Sequence, residues 1–124
     1  AVAYRNELST TPTSLPAALA LSRVEGRLGR PAEQERVLRN AIRANPKSPG
    51  PYLTLALTFL QREVRYPEAL ELAHLALERG PKGRELQLNY FLLADLYIRL
   101  GDSEREHEYA RLGRSVHVGG GNEQ

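Results

Sequence analysis

The stretch PGPYLTLALTFLQREVRYPEALELAHLALERGP, Pro49 to Pro81, decides the fold. In its first half, Tyr52, Leu55, Ala56 and Phe59 follow the i, i+3, i+4, i+7 spacing of one helical face. Leu53, Leu57 and Leu60 add a second apolar stripe beside it, which predicts a helix that is deeply buried or keeps one face for something else. The second half opens with Pro67 and Glu68, both suited to a first helical turn. Ala69, Leu72, Ala73 and Ala76 form its seam, and the small alanines let another helix come close. Gly80 suits a left-handed cap and Pro81 a stop, so the stretch reads as two antiparallel helices.

The pattern recurs along the chain. Leu21 and Leu55 are 34 residues apart, as are Ala18 and Tyr52; Ala41 and Ala76 are 35 apart, as are Glu33 and Glu68. Tyr52, Leu55, Ala56 and Phe59 return as Tyr90, Leu93, Ala94 and Tyr97 at a constant shift of 38. A two-helix unit with a period near 34 is the signature of a stacked helical repeat.

On these residues the chain resembles the tetratricopeptide repeat (TPR) family. The family places a large residue, a Leu, a small residue and an aromatic on its first helix, matched by Tyr52, Leu55, Ala56, Phe59 and by Tyr90, Leu93, Ala94, Tyr97. Gly29 and Gly101 match the glycine that closes that helix, and Pro46 and Pro81 the proline after the second. The resemblance spans residues 3–116. It implies an all-α, right-handed superhelical stack of antiparallel helix pairs, a TPR-like α-solenoid of about three repeats, with first helices lining the concave side. Departures are Ala18 and Glu25 where other units have aromatics, one extra residue between Phe59 and Glu68, about three near Lys82–Leu86, and Gly113 at the place of Ala41.

The expected units are a partial one over 1–14, repeat 1 over 15–48, repeat 2 over 49–83, and repeat 3 with its C-terminal cap over 84–118. Tyr4, Leu8, Pro12 and Ser14 fall on Leu38, Ile42, Pro46 and Ser48 at a constant offset, so the chain is expected to open inside the second helix of an earlier repeat of a longer protein. Ser14 is the expected cap of the first full helix, whose Leu21, Val24 and Leu28 are expected in the core. Asp102 or Ser103 is expected to cap the last helix, and residues 119–124, GGGNEQ, to form a disordered tail.

The 124 residues fit one domain, with 17 cations against 15 anions and ordinary apolar content. Arg outnumbers Lys fifteen to two, which fits GC-rich coding and leans toward a bacterial source. With no Cys, disulfides and thiolate metal sites are excluded. No run approaches the roughly 20 apolar residues of a membrane span, so no membrane insertion is expected. Composition leaves cytoplasm and periplasm both open.

No enzymatic chemistry emerges. His107 and His117 are ten apart, not at the i, i+4 spacing of a helical zinc pair, and His74 stands alone. No phosphate-binding glycine motif is present. Glu33, Glu35, Glu104, Glu106 and Glu108 read as solvated or near-terminal helix charges rather than an acid–base pair. Arg36, Arg39 and Arg43 make a row with Glu33 and Glu35 beside it, so nucleic acid is not expected as a partner. No cofactor or metal is expected.

A protein-binding role remains. Once the packing faces of the first helices are assigned, the leftover stripe is Leu19, Arg23, Gly26 and Arg27, then Leu53, Leu57, Leu60 and Gln61, then Phe91, Asp95, Ile98 and Arg99. It describes a groove with an apolar floor and Arg flanks, suited to a peptide or helix segment of an acidic or amphipathic protein partner. Some members of the family clamp a partner's terminal carboxylates with Lys, Asn and Arg; Leu19, Thr54, Leu88 and Leu92 stand in or near those places, so that clamp is not expected. The alternative is a structural role, in which the same stripe mediates homo-oligomerisation or docks onto other parts of a longer parent protein.

Overall fold

The computed structural model describes residues 15–117. The expected partial helix over 1–14, the Ser14 cap and the expected tail over 119–124 lie outside the described residues. Six helices and no strand occur among them: α1 (Leu15–Arg27), α2 (Pro31–Ala44), α3 (Pro49–Arg62), α4 (Tyr66–Glu78), α5 (Gly83–Arg99) and α6 (Ser103–Ser115). The closest packing is within the pairs α1/α2, α3/α4 and α5/α6, and successive pairs join through α2/α3 and α4/α5. This is an all-α helical repeat.

Local chemistry sets the helix ends. Prolines occupy the first turns of α2, α3 and α4, where no intrahelical donor is lost. The Asn45 side chain donates to the Ala41 carbonyl and closes α2. Gly80, at φ 74°, closes α4 before Pro81. Of the two residues expected to cap α6, Asp102 does so, accepting from the Arg105 backbone N–H at 3.0 Å. That bond and the Arg105 guanidinium hold its carboxyl below the usual aspartate range.

The three first helices end in one way. The N–H groups of Arg30, Val64 and Asp102 reach back five residues to the carbonyls of Glu25, Phe59 and Tyr97. In each case the preceding turn holds a left-handed residue: Gly29 at φ 70°, Glu63 at φ 59° and Gly101 at φ 86°. The extra residue of the middle unit follows this cap, where Arg65 takes a second left-handed conformation at φ 52°. The residues inserted near Lys82 lengthen α5 to 17 residues, against 14 in α3. They form an added N-terminal turn.

The core centres on α3. Leu38, Leu55, Phe59, Leu93 and Leu96 are fully enclosed, and so are Ala56, Ala69, Ala73 and Ala76 where α3 and α4 meet. Each large side chain so enclosed contributes about 1.5–3 kcal/mol relative to exposure. The Asn89 amide donates to the Ala73 carbonyl at 3.0 Å and ties α5 to α4. Two core expectations are corrected: Val24 and Leu28 are 42% and 56% exposed. The residues equivalent to Val24, Thr58 and Leu96, are buried. Both sit on helices that pack against a preceding pair, whereas α1 is the first described helix.

Candidate functional site

The outer helices α2 and α4 are joined by ion pairs. Arg39 meets Glu35 at 2.9 Å and Glu68 at 2.6 Å, and Arg65 meets Glu35 at 2.8 Å. Partial burial raises the Glu35 pKa, but the hydrogen bonds from Arg39 and Arg65 outweigh it and hold the carboxyl below its ordinary value. Arg36 is bound to Glu33 at 2.8 Å, and Arg43 to Asn40. Each arginine of the row 36, 39, 43 is therefore engaged within the protein.

The first-helix stripe separates into three environments. Leu53 and Leu60 lie inside the core, at 4% and 8% exposed, so they form a closed floor rather than an accessible one. Leu19 and Leu57 are half-buried against that core. In the third pair, Arg99 binds Asp95 at 3.1 Å and the Tyr66 hydroxyl at 2.9 Å, with Glu63 at 3.8 Å, so this flank is largely neutralised. The hydrogen bonds to Tyr66 and Asp95 hold the Arg99 pKa above its ordinary value. Ile98 is exposed, and Phe91 turns its ring onto α6. A Cβ at Gly113 would stand 2.6 Å from that ring, so the glycine at this position is what lets Phe91 settle there.

Arg23, Arg27 and Gln61 come together. They line a cleft of about 500 Å³ between the C-terminal halves of α1 and α3, with Gly26 on α1 and Thr58 and Arg62 on α3. The turn from Gly29 to Pro31 and Gln34 of α2 complete it. Gln34 donates from Nε2 to the Ser22 carbonyl at 3.0 Å and lies across Gly26, where a Cβ would meet it at 2.6 Å. Gly26 thus lets Gln34 lie flat on α1. The Thr58 hydroxyl donates to the Thr54 carbonyl, leaving its lone pairs available.

Arg30, Arg62, Gln34 and Thr58 were not singled out by periodicity. Arg27 and Arg62 are the last residues of α1 and α3, and stacking brings equivalent helix ends together. A cation at both ends was the signal that could have found Arg62. Arg30 sits in a turn, outside any helical period. The three histidines hold no common site. His107 and His117 are exposed, and His74 shares a hydrogen bond with the Tyr97 hydroxyl at 2.9 Å. No group of metal-binding side chains occurs among the described residues, and no described helix is long and apolar enough to cross a membrane.

No protein-family model matches the chain, and no curated protein matches it. Among solved structures, it is similar to the crystal structure of MamA, with a TM-score of 0.74 and 17% identity. The alignment covers 90% of this chain and 63% of that one, so the chain spans less than two thirds of its neighbour's length. At that identity the likeness is one of fold, and it supports an all-α stack of tetratricopeptide-like helix pairs.

Proposed function

We propose that this chain is a protein-interaction module that takes a peptide or helical segment of a partner along the face formed by its first helices. The repeat units are 15–48, 49–83 and 84–118, wound as a right-handed superhelix. One observation carries the reading: the cleft opens between the first helices of two successive pairs, and Arg23, Arg27 and Gln61 at its wall hold no part of the fold together. Leu57, one turn before Gln61 on α3 and half-buried, supplies an apolar edge. Such a surface suits a segment with apolar and polar residues in alternation.

Selection of a random peptide library on the immobilised chain tests this. Enriched peptides should bind the wild type and be lost on Leu57→Asp, with helicity retained. A library that yields no binder above background, or binders indifferent to both Leu57→Asp and Gln61→Ala, would sink the reading.

Self-association is the second reading. It is favoured by Leu88, Phe91, Ile98 and Leu100 of the third pair, which are 39–46% exposed. Sedimentation at rising concentration should then show a dimer that Ile98→Asp abolishes.

A further inference from the structure

We propose that the cleft between α1 and α3 selects acidic polypeptide segments, with Arg23, Arg27, Arg30 and Arg62 receiving carboxylates of the partner. The inference rests on the binding-module reading above and names the chemistry of its ligand.

The molecule supplies its own control. Elsewhere several arginines are matched, Arg36 to Glu33, Arg39 to Glu35 and Glu68, Arg65 to Glu35, Arg99 to Asp95, and Arg105 to Asp102, while Arg84, Arg111 and Arg114 meet no carboxylate among the described residues. The cleft differs from the matched sites. Four guanidinium groups line it and no carboxylate does. Among the described residues, no hydrogen bond or ion pair holds Arg23, Arg27 or Arg62, while Arg30 is 3.6 Å from Glu25. Of the chain's 15 anions, only the buried Glu25, through Arg30, meets one of these four groups among the described residues.

Helix-end electrostatics explains part of the cluster. Arg27 and Arg62 lie in the last turns of α1 and α3, where a cation offsets the partial negative charge of the carbonyls. That accounts for one cation per helix, not for Arg23 and Arg30 in the same cavity. Like charges sharing one cavity repel, and an anionic ligand removes the repulsion while gaining charge-assisted hydrogen bonds. The planar guanidinium fork matches a carboxylate bidentately. Gln61, with one amide donor group and one acceptor, can hold a peptide unit between the charged contacts.

The same chemistry speaks against a nucleic acid. No aromatic side chain lines the cleft, so there is no surface on which bases could stack. The arginine row on α2 that would extend a phosphate track is bound within the protein. An open cationic cleft, with half-buried Leu57 one helical turn from its lining residue Gln61, suits a short stretch of Asp and Glu carried with apolar residues.

The peptides selected from the random library decide the matter. They should be enriched in Asp and Glu over the starting library. One of them, made as a labelled synthetic peptide, should bind the full chain with an affinity that falls steeply with salt. Arg23→Gln/Arg62→Gln should weaken it by about tenfold or more, as expected for losing two charge-assisted bonds. The outer-face pair Arg36→Gln/Arg43→Gln should leave it unchanged. Selected peptides without acidic enrichment, but still lost on Leu57→Asp, overturn the proposal and leave the binding module standing. A library that yields no binders overturns both. Equal losses in the cleft and outer-face variants reduce the effect to net charge and overturn the proposal. A random single-stranded 20-mer oligonucleotide that outcompetes the peptides and is lost in the cleft variant reassigns the cleft to nucleic acid.

Discussion

The first and third helix pairs share one register but are built of different material. Glu25 and Tyr97 hold equivalent places, and the carbonyl of each receives the backbone N–H five residues on. Around Tyr97 the protein gathers rings: Tyr109 stacks on it at 5.6 Å and 6°, Tyr90 lies beside Tyr109, and His74 meets Tyr97 edge-on. Around Glu25 it gathers charge and polar groups: Arg30 at 3.6 Å, and the Gln34 amide on the Ser22 carbonyl. The repeat's geometry is therefore held by the backbone cap and by the invariant leucines, while the aromatic position is free to be apolar or charged. The third pair uses that freedom for cohesion. The first uses it to place a buried carboxylate beside Arg30, which lines the cleft.

The leucines give the sharpest way to break this comparison. Leu93 is fully enclosed and packs into the central cluster, while Leu21, its equivalent, is 4% exposed and lies outside that cluster. Leu93→Ala should cost about 2–5 kcal/mol, and Leu21→Ala should fall at or below the lower end of that range. Urea unfolding of both variants checks the order. An equal or larger cost at Leu21 would remove the asymmetry between the pairs.

A smaller effect, of opposite signs, is expected at the caps. Gly29 and Gly101 occupy left-handed positions with open space at the Cβ direction, so Gly29→Ala and Gly101→Ala should each cost about 1–2 kcal/mol through backbone strain alone. Glu63 already bears that strain in the middle pair. Its ion pair to Arg99 is 3.8 Å long and on the surface side 72% exposed, a weak compensation. Glu63→Gly should therefore stabilise the protein by about 1 kcal/mol. Thermal unfolding of the three variants tests whether one cap serves all three pairs. Destabilisation by Glu63→Gly would show that the middle turn is held by something else.

Much of this was legible in the chain. The spacing of Tyr52, Leu55, Ala56 and Phe59 gave the buried face because a helix repeats its faces every few residues, and the recurrence of those types gave the stack. Gly29 and Gly101 stood where only an uncommon backbone conformation closes the helix. The cleft was half legible. Arg23, Arg27 and Gln61 followed from subtracting packing faces, but Arg30, Gln34, Thr58 and Arg62 reach it through a turn and through neighbouring helix ends, which no single-helix period encodes. Leu53 and Leu60, expected on an accessible groove floor, are enclosed instead, because a helix wheel counts faces, not neighbours, and α3 packs against α2, α4 and α5. Val24 and Leu28 erred the other way, since α1 lacks the preceding described pair that buries Thr58 and Leu96.

The smallest effect probes the aromatic cluster that distinguishes the third pair. His74 meets the stacked Tyr97 and Tyr109 edge-on, and burial lowers its pKa from the ordinary 6.5; Glu78 opposes the shift and Arg105 adds to it. A histidine whose folded pKa is depressed is preferred neutral in the fold. Its contribution is thus fully present above the unfolded value of 6.5 and is lost as pH falls through the lower folded value. Protonation also removes the ring nitrogen's capacity to accept from the Tyr97 hydroxyl, the direction of hydrogen bonding open to the neutral tautomer. Melting curves between about pH 8 and about pH 5 should show a decline at the acid end that His74→Gln reduces. Tyr97→Phe should cost about 1 kcal/mol at neutral pH, and the cost should shrink in acid, where the bond is already compromised. A cost independent of pH would mean that the hydroxyl donates nothing to His74, and that the pair is held by the edge-on ring contact alone.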